Sequence, residues 1–575
     1  MKSRANKAPK VRLPMWRART VVLLVFAGFT TLAARALYLQ GMNDDFLQKR
    51  GESRYARTID VTANRGTITD RNGDPLAIST PVESVWASPS DAKLSPKQRR
   101  ELARVLGVSS QTLGKRLGNS QREFIYLKRQ LSPDLAAKAL ALNLPGIFLQ
   151  REYRRYYPAA EVAAHVIGFT SVDDRGQEAM ELAYQQWLAG KSGSRRVIKD
   201  RLGQIVEDVE RLRAPQEGRP LALSIDRKVQ YLAYRELKKA AIDNEARAGS
   251  IVVLDAHSGE VLALANWPSY NPNNRSTFKA RRTRNRAVVD LFEPGSTLKP
   301  FTVAAAVDAG FLGPGSVIDV ESGILRIGNR TIHDTHRDDE FLTVSQVIQQ
   351  SSNVGSVKIA MSMRPRDLWN ILSAVGFGAP PKSGFPGEAS GRLRDFNSWK
   401  PIEHATMSYG HGISVSLLQL ARAYTVFATD GTLAPLTFVR RDTPISGQRV
   451  ISARTARTVR AMLEGVTHSG GTAVQARVTG YRVAGKTGTV HKLIDGSYAP
   501  HRYIASFVGF APVSDPRLVV AVMLDEPGGK KYYGGDVAAP VFREVAAGAL
   551  RVLGVPPDSI ETVDPVQVEM PGEEV

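Results

Sequence analysis

Between Val21 and Leu39 the chain carries one charged residue, Arg35, among apolar, small and hydroxylated side chains. Nineteen residues at 1.5 Å each make about 28 Å of helix, enough to cross a hydrocarbon core. A backbone in lipid must satisfy its own N–H and C=O groups, so a single spanning segment has to be a helix. Before it lie Lys2, Arg4, Lys7, Lys10, Arg12, Arg17 and Arg19, and no acid. By the positive-inside rule residues 1–20 form a cytoplasmic basic arm, 21–39 a transmembrane helix, and everything after residue 40 is exported. Arg35 lies one turn from the far end, where its head can snorkel beside Tyr38. A cleavable signal peptide with Ala34-Arg35-Ala36 at its site is the competing reading. The apolar run resumes at Ala36-Leu37-Tyr38-Leu39, which favours an uncleaved anchor.

Composition narrows the chemistry. The 575 residues contain no Cys, which excludes a cysteine nucleophile, a Cys-based zinc site, an iron–sulfur cluster and disulfides. A mean hydropathy of -0.21 excludes a polytopic membrane protein. Seven of the 21 net positive charges sit in the arm. The remainder is spread over an exported body, so attraction to an anionic envelope polymer is the reading and nucleic acid is not.

Residues 40–219 alternate short extended runs, turns and charged helices near 96–106 and 132–142, and are expected to form a non-catalytic α+β pedestal. A second unit, 220–555, begins with a strand at Leu221–Ile225 and an amphipathic helix at Lys228–Ala246. Ile251–Asp255 and Glu260–Asn266 read as a hairpin about Ser258-Gly259, and Ala505–Phe510 with Leu518–Leu524 as another. Ala538–Leu553 reads as a closing helix, and the Pro-rich acidic end, 556–575, as a tail. Helices enclosed by hairpins give an α+β fold over a mostly antiparallel sheet with helices on both faces.

Three short motifs carry the chemistry. A serine nucleophile needs its base one helical turn away and a helix N-terminus beneath it. Ser-x-x-Lys occurs at Ser90/Lys93, Ser276/Lys279 and Ser296/Lys299. Only the last heads an apolar helix, Phe301–Val307, with Pro300 near its first turn, where proline is tolerated. The first runs into Leu94-Ser95-Pro96, and the second lies in a polar, Arg-rich stretch. Ser-x-Asn occurs at Ser269/Asn271, in a Pro/Asn loop, and at Ser351/Asn353, ending a helix-like run from Thr343. Lys-[Ser/Thr]-Gly occurs at 191, 382 and 486. Lys382 is flanked by prolines that disfavour a paired strand. Lys486-Thr487-Gly488-Thr489 follows strand-like Arg482-Val483-Ala484-Gly485, with glycine where a substrate backbone must come close. The order Ser296, Ser351, Lys486 matches the motif set of penicillin-binding proteins and β-lactamases.

The chain resembles a class B penicillin-binding protein, a monofunctional peptidoglycan D,D-transpeptidase, over nearly all of its exported length. The resemblance is carried by Arg65-Gly-x-Ile-x-Asp-Arg-Asn-Gly73, Arg284-Asn-Arg-Ala287, Glu293-Pro-Gly-Ser-Thr-Leu-Lys-Pro300, Ala484-Gly-Lys-Thr-Gly-Thr489 and Tyr533-Gly-Gly535 with Ala539-Pro-Val-Phe542. Arg284-Asn-Arg-Ala287 ahead of Glu293-Pro294-Gly295 resembles the septal, division-specific branch rather than the elongation branch. Two departures are visible: His411 where the branch often has Tyr, and Ala179 where Gly is usual. His411 reads as a structural loop residue.

The resemblance implies the penicillin-binding transpeptidase fold on an elongated pedestal of the dimerisation type. It implies that Ser296 attacks a stem peptide ending in D-Ala-D-Ala and that neutral Lys299 takes its proton. Burial and the Lys486 cation would depress Lys299. Ser351 passes the proton to the leaving D-Ala, and Asn353 bonds the substrate amide and holds Lys299. The N–H groups of Ser296 and Thr489 form the oxyanion hole. Thr487 and Thr489 hydroxyls bind the terminal carboxylate in the field of Lys486, and Gly488 lets the substrate approach. β-Lactams imitate the substrate and acylate Ser296. No metal or organic cofactor is needed. Expected partners are a division glycosyltransferase and other divisome proteins, since no glycosyltransferase motif occurs in 41–220. A D,D-carboxypeptidase or an elongation transpeptidase stays open. A β-lactamase lacks its deacylating Glu-x-x-x-Asn here, and a β-lactam sensor would need a cytoplasmic signalling domain.

Overall fold

The computed structural model describes residues 14–39, 56–118, 122, 124–199, 205–335, 339–443 and 445–559. Most of the basic arm and the tail beyond Ser559 lie outside them. Helix α1 (Met15–Leu37) starts six residues before the apolar run, so Arg17 and Arg19 continue it. None of its residues is buried, and its best 18-residue window has a mean hydropathy of 1.9. It is long and apolar enough to cross a membrane.

The chain divides into two compact units that interleave along the sequence, the first including α1: residues 1–63, 82–152 and 191–216, and residues 64–81, 153–190 and 217–575. The first contains an antiparallel sheet of Ala56–Val61, Gly193–Lys199 and Ile205–Arg213. It also holds a small core of Val85, Leu102, Leu106, Leu113, Leu127, Leu131 and Ile147. The helix Pro96–Leu106 there begins on a Ser95/Gln98 capping box and ends on Gly107 in the left-handed region.

In the second unit, five strands form one antiparallel sheet. They are β1 (Ala248–Asp255), β2 (Val261–Trp267), β3 (Ala484–Ile494), β4 (Ser497–Ala511) and β5 (Leu518–Asp525), in the order β2-β1-β5-β4-β3. Both expected hairpins are present: β1 pairs with β2 across Ser258-Gly259, and β4 with β5. Every residue of β5 is buried, which requires cover on both faces. Helices α2 (Arg227–Asp243) and α6 (Ala539–Val552) pack on each other and on the sheet, and α5 (Leu417–Ala428) packs on β1 and β5. Helix α2 starts at Asp226, whose carboxylate accepts from the N–H groups of Lys228 and Val229. Two helices carry the site: α3 (Lys299–Asp308), buried from Lys299 to Ala306, and α4 (Asn353–Met361).

A buried ionic cluster ties residues 64–81 to 153–190. Arg65 Nε donates to Glu181 Oε2 at 2.7 Å, and Arg155 Nε to Glu181 Oε1 at 2.7 Å. The remaining guanidinium donors reach the carbonyls of Arg65, Gly66, Asp174 and Glu181 and the side chains of Ser79 and Gln185. Arg284-Asn-Arg-Ala287 has a similar structural use. Asn285 Nδ2 donates to the His165 carbonyl at 3.0 Å, and its Oδ1 accepts from Asn266 at 2.9 Å.

Candidate active site

Ser296 lies in the 3-10 turn Gly295–Leu298, which runs directly into α3. Backbone packing fixes that turn. Gly295 has φ +56°, and a Cβ there would sit 2.3 Å from Val490 Cγ1, so both conformation and space demand glycine. A Cβ on Gly488 would meet Pro294 O and Thr297 Cγ2, each at 3.0 Å, so β3 lies against the serine turn. Tyr424 Oη, from α5, donates to the Thr297 carbonyl at 2.7 Å and secures the turn from behind.

The second serine is held by a different device. Ser351 occupies the left-handed region (φ 66°) between the helix Val344–Gln349 and α4. Such a conformation costs about 1–3 kcal/mol outside glycine and persists where surroundings enforce it. Asp334 supplies the enforcement. Its carboxylate accepts from Ser352 Oγ at 2.5 Å and from the N–H groups of Asn353 (2.5 Å) and Val354 (2.9 Å), capping α4. The motif reading missed Asp334, because nothing local marks a cap contributed from 18 residues away.

The two lysines converge on Ser351. Lys299 Nζ donates to the Ser351 carbonyl at 2.5 Å and to its Oγ at 3.2 Å. Lys486 Nζ donates to the same Oγ at 2.9 Å. Both lysines are 0 % exposed. Burial pushes Lys299 down to about 7, with Asp334 pulling partly the other way. Lys486 is held well below the ordinary lysine value by burial, with the Lys299 charge adding to it. Burial is the main cause of both shifts, and the repulsion between the two ammonium charges is mutual and acts on the pair. Two ammonium groups cannot share one hydroxyl in this environment, so the pair favours a single charge.

Asn353 does not hold Lys299. Its Nδ2 donates to the His333 carbonyl at 2.9 Å. As the first residue of α4 it is aligned by the Asp334 cap, which turns its amide towards the adjacent strand Arg330–His333. Nor does Lys299 bond Ser296. Among the described residues no hydrogen bond holds Ser296 Oγ, which leaves that hydroxyl free for a substrate. Catalytic contacts of this kind are often loose before substrate binds.

Lys486, Thr487, Gly488 and Thr489 lie on β3, the edge strand of the sheet, so half of its peptide groups lack a neighbouring strand. Thr487 Oγ1 is 2.8 Å from Thr472 Oγ1, and Thr489 Oγ1 accepts from the Gly534 N–H at 2.9 Å. Thr472 carries no sequence signal of its own. Gly534 does belong to the Tyr533-Gly-Gly535 run, and a Cβ on it would lie 2.5 Å from the Gly488 carbonyl. The decoys lie elsewhere: Ser276 Oγ donates to Asn274 on an exposed turn, and the N–H groups of Lys382 and Ser383 donate to the Glu388 carboxylate.

Residues 249–547 match the penicillin binding protein transpeptidase domain, and residues 60–223 match the penicillin-binding protein dimerisation domain. The chain is 42% identical over 558 residues to the probable peptidoglycan D,D-transpeptidase PenA of Neisseria gonorrhoeae, covering 96% of each chain. It is 42% identical over 556 residues to the peptidoglycan D,D-transpeptidase FtsI of Escherichia coli, covering 96% of this chain and 94% of that one. Among solved structures it is similar to penicillin-binding protein 3 of Mycobacterium tuberculosis in complex with aztreonam. That likeness has a TM-score of 0.68 and 26% identity, over 87% of this chain and 98% of that one.

Proposed function

Because the chain belongs to the penicillin-binding protein transpeptidase family, we propose that it cross-links peptidoglycan stem peptides through an acyl-enzyme on Ser296. The observation that carries this reading is the meeting of two buried lysines on Ser351 Oγ, beside a free serine at the head of a buried helix. Neutral Lys299 takes the proton as Ser296 Oγ bonds the penultimate D-Ala carbonyl. As the peptide C–N bond breaks, Ser351 relays a proton to the departing D-Ala nitrogen. The N–H groups of Ser296 and Thr489 face the oxyanion, and a peptide laid along the free edge of β3 gains main-chain bonds. The terminal carboxylate binds at Thr487 and Thr489. Its charge favours a proton on Lys486, and Lys299 is then left as the base. An amine of a second stem peptide accepts the acyl group.

On this reading α1 anchors the chain with its body outside the cytoplasmic membrane, and residues 40–219 serve as a scaffold for a division glycosyltransferase and other divisome proteins. The likeness to FtsI supports a septal role. A carboxypeptidase side reaction differs only in taking water as acceptor. Intact-protein mass spectrometry after penicillin treatment tests the reading. A stoichiometric adduct should form on the wild type and be absent from Ser296→Ala. A retained adduct mapping to Ser276 or Ser90 would overturn it.

A further inference from the structure

Beside the serine turn lies a second polar cluster that the acylation steps leave unused. Glu293, three residues before Ser296, accepts from the Gly412 N–H through Oε1 at 2.8 Å and from Tyr498 Oη through Oε2 at 3.0 Å. Tyr498 Oη lies 3.2 Å from His411 Nδ1. The phenol has one hydrogen, and the carboxylate takes it. His411 Nδ1 must then carry the proton that it donates to Tyr498, which leaves Nε2 as an acceptor. Among the described residues no hydrogen bond reaches Nε2, and the side chain is 29 % exposed. The loop that carries His411 is packed against the serine turn through its backbone. A Cβ on Gly410 would sit 2.3 Å from the Gly295 carbonyl, and the Gly295 N–H donates to Gly410 O at 3.3 Å.

We infer that His411 Nε2 is the base that takes the first proton from the acceptor amine, with Tyr498 and Glu293 as positioning residues behind it. The inference rests on the transpeptidase reading and deepens it. The incoming ammonium gives one proton to Nε2, which returns it to solvent. The amine lone pair then bonds the acyl carbon and the Ser296 Oγ–C bond breaks. The second nitrogen proton passes through neutral Lys299 to Ser296 Oγ. The products are an amide, the free serine and one proton in solvent. The charged and titratable groups facing His411 are Glu293, Lys299, His491 on β3, Tyr409 on its own loop and Tyr498 on β4. Burial, Lys299 and His491 lower the imidazole, and Glu293 opposes them. The same desolvation loosens the proton on an ammonium docked there. A tyrosine at this position could not serve near neutral pH, since a phenol has its ordinary value near 10.

The test separates acylation from transfer. The full-length protein is acylated with a thioester analogue of a D-Ala-terminated stem. Partition of the acyl group between water and added glycinamide is then followed from pH 5 to 9. His411→Gln should lower the ratio of aminolysis to acylation rate at least tenfold and remove the histidine limb from the aminolysis profile. Tyr498→Phe, which keeps the ring, should lower the ratio several-fold. Glu293→Gln should move the limb to lower pH, because the imidazolium loses its counter-charge. An unchanged ratio and profile in the histidine and tyrosine variants would overturn the assignment, as would parallel losses in acylation and aminolysis. Absence of acylation in the wild type would instead overturn the transpeptidase reading.

Discussion

Two pairs of cations are buried in the second unit, and they are treated in opposite ways. Arg65 and Arg155 share Glu181, with side-chain exposures of 1 %, 0 % and 0 %. Among the described residues Lys299 and Lys486 share the Ser351 hydroxyl, and their other acceptors are the carbonyl of Ser351 and the oxygens of Thr487. A guanidinium is a permanent cation with donors in a fixed fork, so it can be buried only with a carboxylate and carbonyls to receive them. An ammonium can lose its proton, so a site that denies it a counter-ion creates a base. The first pair therefore holds segments together, and the second holds a reactive state. The sign of the stability linkage follows. Lys299 is lowered from 10.5 to about 7, so the folded state binds fewer protons than the unfolded one across that interval. Its burial therefore costs more as pH falls from about 10.5 to 7, and no further below that.

The sharpest way to break the contrast is to exchange the residue types. Lys299→Met should slow acylation by roughly 10²–10⁴, the usual worth of a general base. Lys299→Arg should fail to restore it, because a guanidinium cannot give up its proton. Stopped-flow acylation by a chromogenic cephalosporin reads both, and recovery by arginine would show that only a positive charge is needed. On the structural side, Glu181→Gln removes the carboxylate that both guanidinium groups bond, leaving Asp174 as their nearby acid. It should lower unfolding stability by about 3–5 kcal/mol in urea titration. A loss under 1 kcal/mol would mean that Gln185 and the surrounding carbonyls suffice.

Lys486→Ala should slow acylation about 10- to 150-fold, the loss of one charged hydrogen bond at roughly 1.5–3 kcal/mol. The loss should shrink for an analogue without the carboxylate. Equal losses on both ligands would move Lys486 into proton transfer around Ser351. The smallest effect is on pH. Since Lys299 acts unprotonated, acylation should rise about tenfold per pH unit up to about 7 and then level. A profile flat from pH 5.5 to 8 would show that no lysine titrates in that step.

The sequence alone made the main elements legible. Helix Lys228–Ala246 is found as Arg227–Asp243, and Ala538–Leu553 as Ala539–Val552. Both hairpins about the sheet centre stand where alternating apolar runs and turn residues put them. Periodicity and local turn chemistry report on neighbours within a few residues, and these elements need nothing more. The choice of Ser296 over Ser276 and Ser90 used the same local information, the apolar helix that follows it. Contacts between distant residues were closed to that reading. Asn353 bonds His333 instead of Lys299 because Asp334 caps its helix from outside the motif.

Residue types and their order along the chain determined the apolar helix, the three motifs and the exclusion of thiol chemistry. Only the tertiary structure decided that two buried lysines meet on one hydroxyl, what enforces the left-handed Ser351, and that Glu293, Tyr498 and His411 form one hydrogen-bonded chain. The physical reason is range. Propensity and capping act over a helical turn, whereas desolvation and charge act through space among side chains far apart in sequence, 205 residues in the case of Glu293 and Tyr498.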